Sequence, residues 1–133
     1  MPGMEAASSY TDLRRQEAVS PKRLYAIDAV TTAASPVTDV EVLTDLAARA
    51  VRAGGGHVLD VSHVIFPNGA ITLVLILAES HLSIHTWPEE SLIAIDLFSC
   101  GAIDGQRVLV ELTSALRLDG ATVTELGRGL PRG

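Results

Sequence analysis

Two strand-like runs, residues 57–66 and 70–78, stand only three residues apart, separated by Pro67, Asn68 and Gly69. A break of that length and composition closes a hairpin, so the middle of the chain is committed to an antiparallel sheet. In the first run Val58, Asp60, Ser62 and Val64 fall on one face, and Leu59, Val61, His63 and Ile65 on the other. The second run is apolar on both faces, as an interior strand requires.

The flanks supply helices. Thr38 or Asp39 can cap a helix in which Val40, Leu43, Leu46, Ala47, Ala50 and Val51 recur at helical spacing. Gly54, Gly55 and Gly56 follow it. A glycine triplet invites a phosphate-loop reading, but it stands at a helix end and no Lys-Ser/Thr follows, so it reads as a helix stop. Asp104 can cap a second helix bearing Val108, Leu109, Leu112, Leu116 and Leu118. Strands are expected over residues 24–30, 92–98 and 122–126. Residues 80–85 read as a short polar–apolar segment broken by Trp87 and Pro88. The expected fold is α/β of the α+β kind: a two-layer sandwich, its sheet largely antiparallel, with two helices on one face. Residues 1–21 are polar and aperiodic and read as a disordered extension, leaving 22–133 as one domain whose glycine- and arginine-rich end frays.

Composition narrows the function. A net charge of −6 argues against a nucleic-acid module or a polybasic membrane surface. The one cysteine, Cys100, cannot form an internal disulfide. The longest apolar run, residues 70–78, is too short to span a bilayer, and the N-terminus lacks the order of a secretion signal. A cytoplasmic protein is expected.

Titratable and aromatic groups concentrate in Glu79-Ser80-His81-Leu82-Ser83-Ile84-His85-Thr86-Trp87-Pro88-Glu89. Taken alone, this is either a reactive strand end or a polar loop with satisfied histidines. The stretch resembles the signature of the prokaryotic S-adenosylmethionine decarboxylase proenzymes. Ala94-Ile95-Asp96-Leu97-Phe98-Ser99-Cys100-Gly101 resembles that family's second block. The similarity runs over about residues 22–118 with the blocks' relative spacing kept.

The resemblance implies an inactive precursor that cuts itself between Glu79 and Ser80, giving a β chain, 1–79, and an α chain, 80–133. Residue 80 would become a pyruvoyl group, an electron sink that binds the substrate amine as a Schiff base. By the same resemblance His85 removes the α-proton during processing, and Thr72 stands where a serine usually assists. Cys100, twenty residues past Ser80, returns a proton to the substrate after carbon dioxide leaves. Phe66 and Trp87 match aromatic positions near the adenine, and Glu89 matches the glutamate on the ribose hydroxyls. The implied partner is S-adenosylmethionine, and the implied assembly a homodimer with residues of both protomers in each site. No metal is expected, and His57, His63 and His81 receive no role.

The sequence also departs from the family. Trp-Pro-Glu usually continues as Tyr-Gly-Tyr-Ala-Ala but here as Glu90-Ser91-Leu92-Ile93-Ala94, and Leu24 replaces a histidine of the first strand. These changes bear on the substrate and leave arginine or ornithine as rivals. A non-catalytic binding protein that never cleaves is the rival of another class.

Overall fold

The computed structural model describes residues 21–130. The expected N-terminal extension lies, Pro21 apart, outside them, as do residues 131–133. In chain order the elements are β1 (Lys22–Val30), α1 (Val40–Ala53), β2 (Val58–Ile65), β3 (Ile71–Leu77), β4 (Ser80–Trp87), a 3₁₀ turn (Pro88–Glu90), β5 (Leu92–Cys100), α2 (Gly105–Ala115) and β6 (Asp119–Arg128). The six strands form one sheet in the order β2-β3-β4-β5-β1-β6. Every pairing is antiparallel.

Local chemistry sets the helix ends. The Asp39 carboxylate accepts the Glu41 N–H at 2.9 Å, opening α1. At the other end Gly55 has a φ of +85°, and a Cβ on Gly54 would meet the Val108 side chain at 2.5 Å. The Gly54 carbonyl accepts the Asp104 N–H at 2.8 Å. The triplet therefore stops α1 and also lets α2 approach it, which supports the helix-stop reading over the phosphate loop.

One face of the sheet carries the core. Tyr25 and Ile27 of β1, Leu73 and Leu75 of β3, Leu82 and Ile84 of β4, and Ile95 and Leu97 of β5 are buried with Leu43 and Val51 of α1 and Leu112 of α2. Each fully buried Leu or Ile contributes roughly 1.5–3 kcal/mol. The other face is mixed: His81, Ser83, His85 and Asp96 form its centre, in register as His81↔Phe98, Ser83↔Asp96 and His85↔Ala94. Among the described residues no helix covers it.

Three expectations need correction. Residues 80–87 are a full interior strand, paired on both sides by β3 and β5, where only a short mixed segment was expected. The helix expected to reach Leu118 ends at Ala115, and Leu118 packs against the core beyond it. Where fraying was expected, Gly127 and Arg128 are paired with Arg23 and Lys22 as the end of β6. In the last case long-range strand pairing overrides a local pattern; α2 stops because Arg117 turns left-handed at φ +50° and the Leu118 N–H closes back on the Thr113 carbonyl.

Candidate active site

The turn Ala78–Glu79 joins β3 to β4, with Leu77 paired to Ser80. Ser80 has a φ of +133°. That is a region L-residues rarely enter, and holding a non-glycine residue there costs about 1–3 kcal/mol. Strain is thus stored at the residue after Glu79. Glu79 itself is only 2% exposed. A buried carboxylate must be paired, and His57 does this twice. Its backbone N–H donates to Oε1 at 2.9 Å, and its ring Nδ1 lies 2.7 Å from Oε2. The buried Cys100, last residue of β5, donates its thiol to the Glu79 carbonyl oxygen at 3.3 Å. Its Sγ lies 4.0 Å from Ser80 Oγ. The structure therefore groups Glu79, Ser80 and Cys100 around one peptide bond.

A second group lies towards the other end of β4. His85 Nδ1 is 3.2 Å from Thr72 Oγ1, directly across the β3–β4 ladder. The His85 and Trp87 rings are tilted at 6.2 Å between centroids. Phe66, Thr72, His85, Trp87 and Glu89 line a cleft of about 540 Å³. Asn68 Nδ2 donates to Glu89 Oε2 at 3.1 Å and fixes that carboxylate at the rim. The 3₁₀ turn carrying Glu89 ends on Ser91, whose φ is +50°. The departure from Tyr-Gly thus places a serine in a left-handed conformation that glycine adopts without cost.

The two groups do not meet in one chain. Ser80 and His85 are five residues apart on one strand, which at the rise of a β-strand is about 16 Å. A proton transfer needs roughly 3 Å. Thr72, assigned only as a processing aid, is joined to His85, whereas His85 and Ser80 are not joined.

His57 was missed by sequence reasoning, and the hairpin could have found it. Val58 pairs with Leu77, so the residue before it must lie against the 78–79 turn. The His57 carbonyl accepts the Ala78 N–H at 2.9 Å.

The residues present fit the group the family resemblance implies. A pyruvoyl group would be made from residue 80 itself, and the strained backbone there and the thiol on the neighbouring carbonyl would suit its formation. Among the described residues no three metal-binding side chains cluster, and no helix is long and apolar enough to cross a membrane.

Comparison with known proteins yields one family. The family described as S-adenosylmethionine decarboxylase matches residues 23–129. An S-adenosylmethionine decarboxylase proenzyme of Brevibacillus brevis is 42% identical over 96 residues, covering 71% of each chain. One from Caldanaerobacter subterraneus is 35% identical over 96 residues, 69% of this chain and 75% of its own. The crystal structure of the adenosylmethionine decarboxylase from Aquifex aeolicus superposes with a TM-score of 0.74 at 26% identity, over 85% of this chain and 94% of that one.

Proposed function

The chain belongs to the S-adenosylmethionine decarboxylase family, and on that premise we propose that it is a carboxy-lyase that releases carbon dioxide from S-adenosylmethionine after cutting its own backbone between Glu79 and Ser80. The observation that carries the reading is the Cys100 thiol on the Glu79 carbonyl, beside a serine at φ +133°.

Ser80 Oγ adds to the Glu79 carbonyl carbon. The carbon–nitrogen bond then breaks, and the hydroxyl proton ends on the Ser80 nitrogen, giving an ester. Negative charge develops on the Glu79 oxygen during the addition, where the thiol already donates. Breaking the amide releases the backbone strain at residue 80, which favours the ester. Loss of the α-proton of residue 80 then expels Glu79 as a free carboxylate. The dehydroalanine left behind takes up water and loses ammonia, producing the pyruvoyl end of the α chain.

The base for that proton is His85. In this reading the Thr72 hydroxyl, 3.2 Å from Nδ1, occupies that side of the ring and Nε2 takes the proton. Since His85 of the same chain is about 16 Å along the strand, the base comes from a second copy. A two-fold contact between open sheet faces carries the end of one β4 towards the start of the other. The reading therefore includes a homodimer, with the cleft of one protomer completing the Ser80 end of its partner. A cytoplasmic location goes with it.

When formed, the pyruvoyl carbonyl supplies the electron sink for decarboxylation. The chain's own residues hold the substrate: the Phe66 and Trp87 faces suit a purine and a sulfonium cation, and the Glu89 carboxylate suits ribose hydroxyls. Cys100, beside residue 80, returns the proton to the substrate carbon.

Purified protein should run under denaturing conditions as two chains with masses matching 1–79 and 80–133, the smaller resisting Edman degradation. Ser80→Ala should stay whole and release no carbon dioxide. A single wild-type chain that still decarboxylates would overturn the cofactor, and carbon dioxide from arginine or ornithine but not from S-adenosylmethionine would overturn the substrate.

A further inference from the structure

His57 is bonded to both residues that precede the proposed cut. Its N–H and its Nδ1 take both oxygens of the Glu79 carboxylate, at 2.9 and 2.7 Å, and its carbonyl accepts the Ala78 N–H at 2.9 Å. The turn it grips is the one that leaves Ser80 at φ +133°. Glu79 is almost fully buried, and both of its carboxylate oxygens are held by His57.

We infer that His57 is a positioning residue for self-cleavage, clamping Glu79 so that the scissile carbonyl faces both Ser80 Oγ and the Cys100 thiol. The inference rests on the self-cleavage reading above and adds a residue to it. A turn free to rock by an ångström would take the carbonyl away from both groups, and acyl transfer is sensitive to errors of that size. The backbone bonds would survive any side-chain change at position 57, so the ring bond to Oε2 is the part a substitution can remove. The step served is the acyl shift itself, in which the Ser80 Oγ–carbon bond forms, the carbon–nitrogen bond breaks and the proton passes to nitrogen.

The test is the cleavage rate of freshly translated full-length precursor, followed on denaturing gels for wild type, His57→Ala, His57→Asn and His57→Gln. An asparagine amide nitrogen reaches the position of Nδ1, whereas a glutamine amide extends past it. Loss of one hydrogen bond to a charged group predicts cleavage about 10-fold slower or more in His57→Ala. His57→Asn should recover to within about threefold of wild type, and His57→Gln should stay slow. Thermal unfolding of each variant in a Ser80→Ala background reports whether the fold is intact, which a merely structural role would not leave unchanged. A folded His57→Ala that cleaves at the wild-type rate overturns the inference, as does His57→Asn cleaving no faster than His57→Gln. That last comparison also decides the matter if His57→Ala does not fold. Wild type that never cleaves defeats the self-cleavage reading first and this inference with it, so the two failures are told apart.

Discussion

Ser80 is asked for two incompatible things. Its chemistry requires a hydroxyl on Cβ, and its backbone, at φ +133°, is one that a Cβ disfavours. The conflict can be measured. Ser80→Gly and Ser80→Ala should both remain uncut, but the glycine variant should be more stable by about 1–2 kcal/mol. Denaturant midpoints at equal slope would report the difference, and an alanine variant as stable as the glycine one would mean no strain is held there. Ser80, His85 and Cys100 could be picked out by their place in a motif. Neither the strain at Ser80 nor the grip of His57 on Glu79 could be, because both follow from how the β2–β3 and β3–β4 ladders close around the same turn.

Among the elements, β4 was the hardest to read. Leu82 and Ile84 point into the core while His81, Ser83 and His85 alternate with them, so the period of two was present. The polar half of it is also the site, so His81, Ser83 and His85 read as chemistry and mask the strand. The helices were easier, since their apolar stripes and caps are local signals. At the β1–α2 junction the packing has a consequence for pH. Tyr25 is buried beside Gly105, where a Cβ would lie 2.4 Å from its ring. Burial, and then the Glu125 carboxylate, raise the phenol above its ordinary value of 10.0. The unfolded chain therefore gives up this proton first, and stability falls as the pH climbs above 10 through the folded value. Tyr25→Phe should lack that part of the alkaline loss. Urea midpoints of the two proteins should diverge above pH 10 and run parallel below it, and curves parallel throughout would remove the role given to this phenol.

For the whole molecule, the hairpin and the two-layer plan could be read from the sequence, but the strand order could not. It depends on β1 entering between β5 and β6, a choice made by residues from Val30 and Leu92 to Lys22 and Arg128, far apart in the chain, that no local pattern records. The separation of Ser80 from His85 gives this scale its own prediction. Co-expressed Cys100→Ala and His85→Ala chains, each inactive alone, should recover about a quarter of wild-type activity, since half of randomly mixed dimers are hybrid and each hybrid holds one complete site. No recovery in verified hybrid dimers would place each site within a single chain. The same strand order bears on what a cut between Glu79 and Ser80 would leave. One piece would hold β1, β2, β3 and α1, the other β4, β5, β6 and α2, and β1 of the first would lie between two strands of the second. The pieces would be dovetailed, held by three ladders with no covalent link between them. Folding would precede the cut as a one-body event, but a cut molecule that unfolded could re-form only when two separate pieces met. A chain built this way passes through its fold once as a single polymer, and after the cut its integrity rests on never letting go.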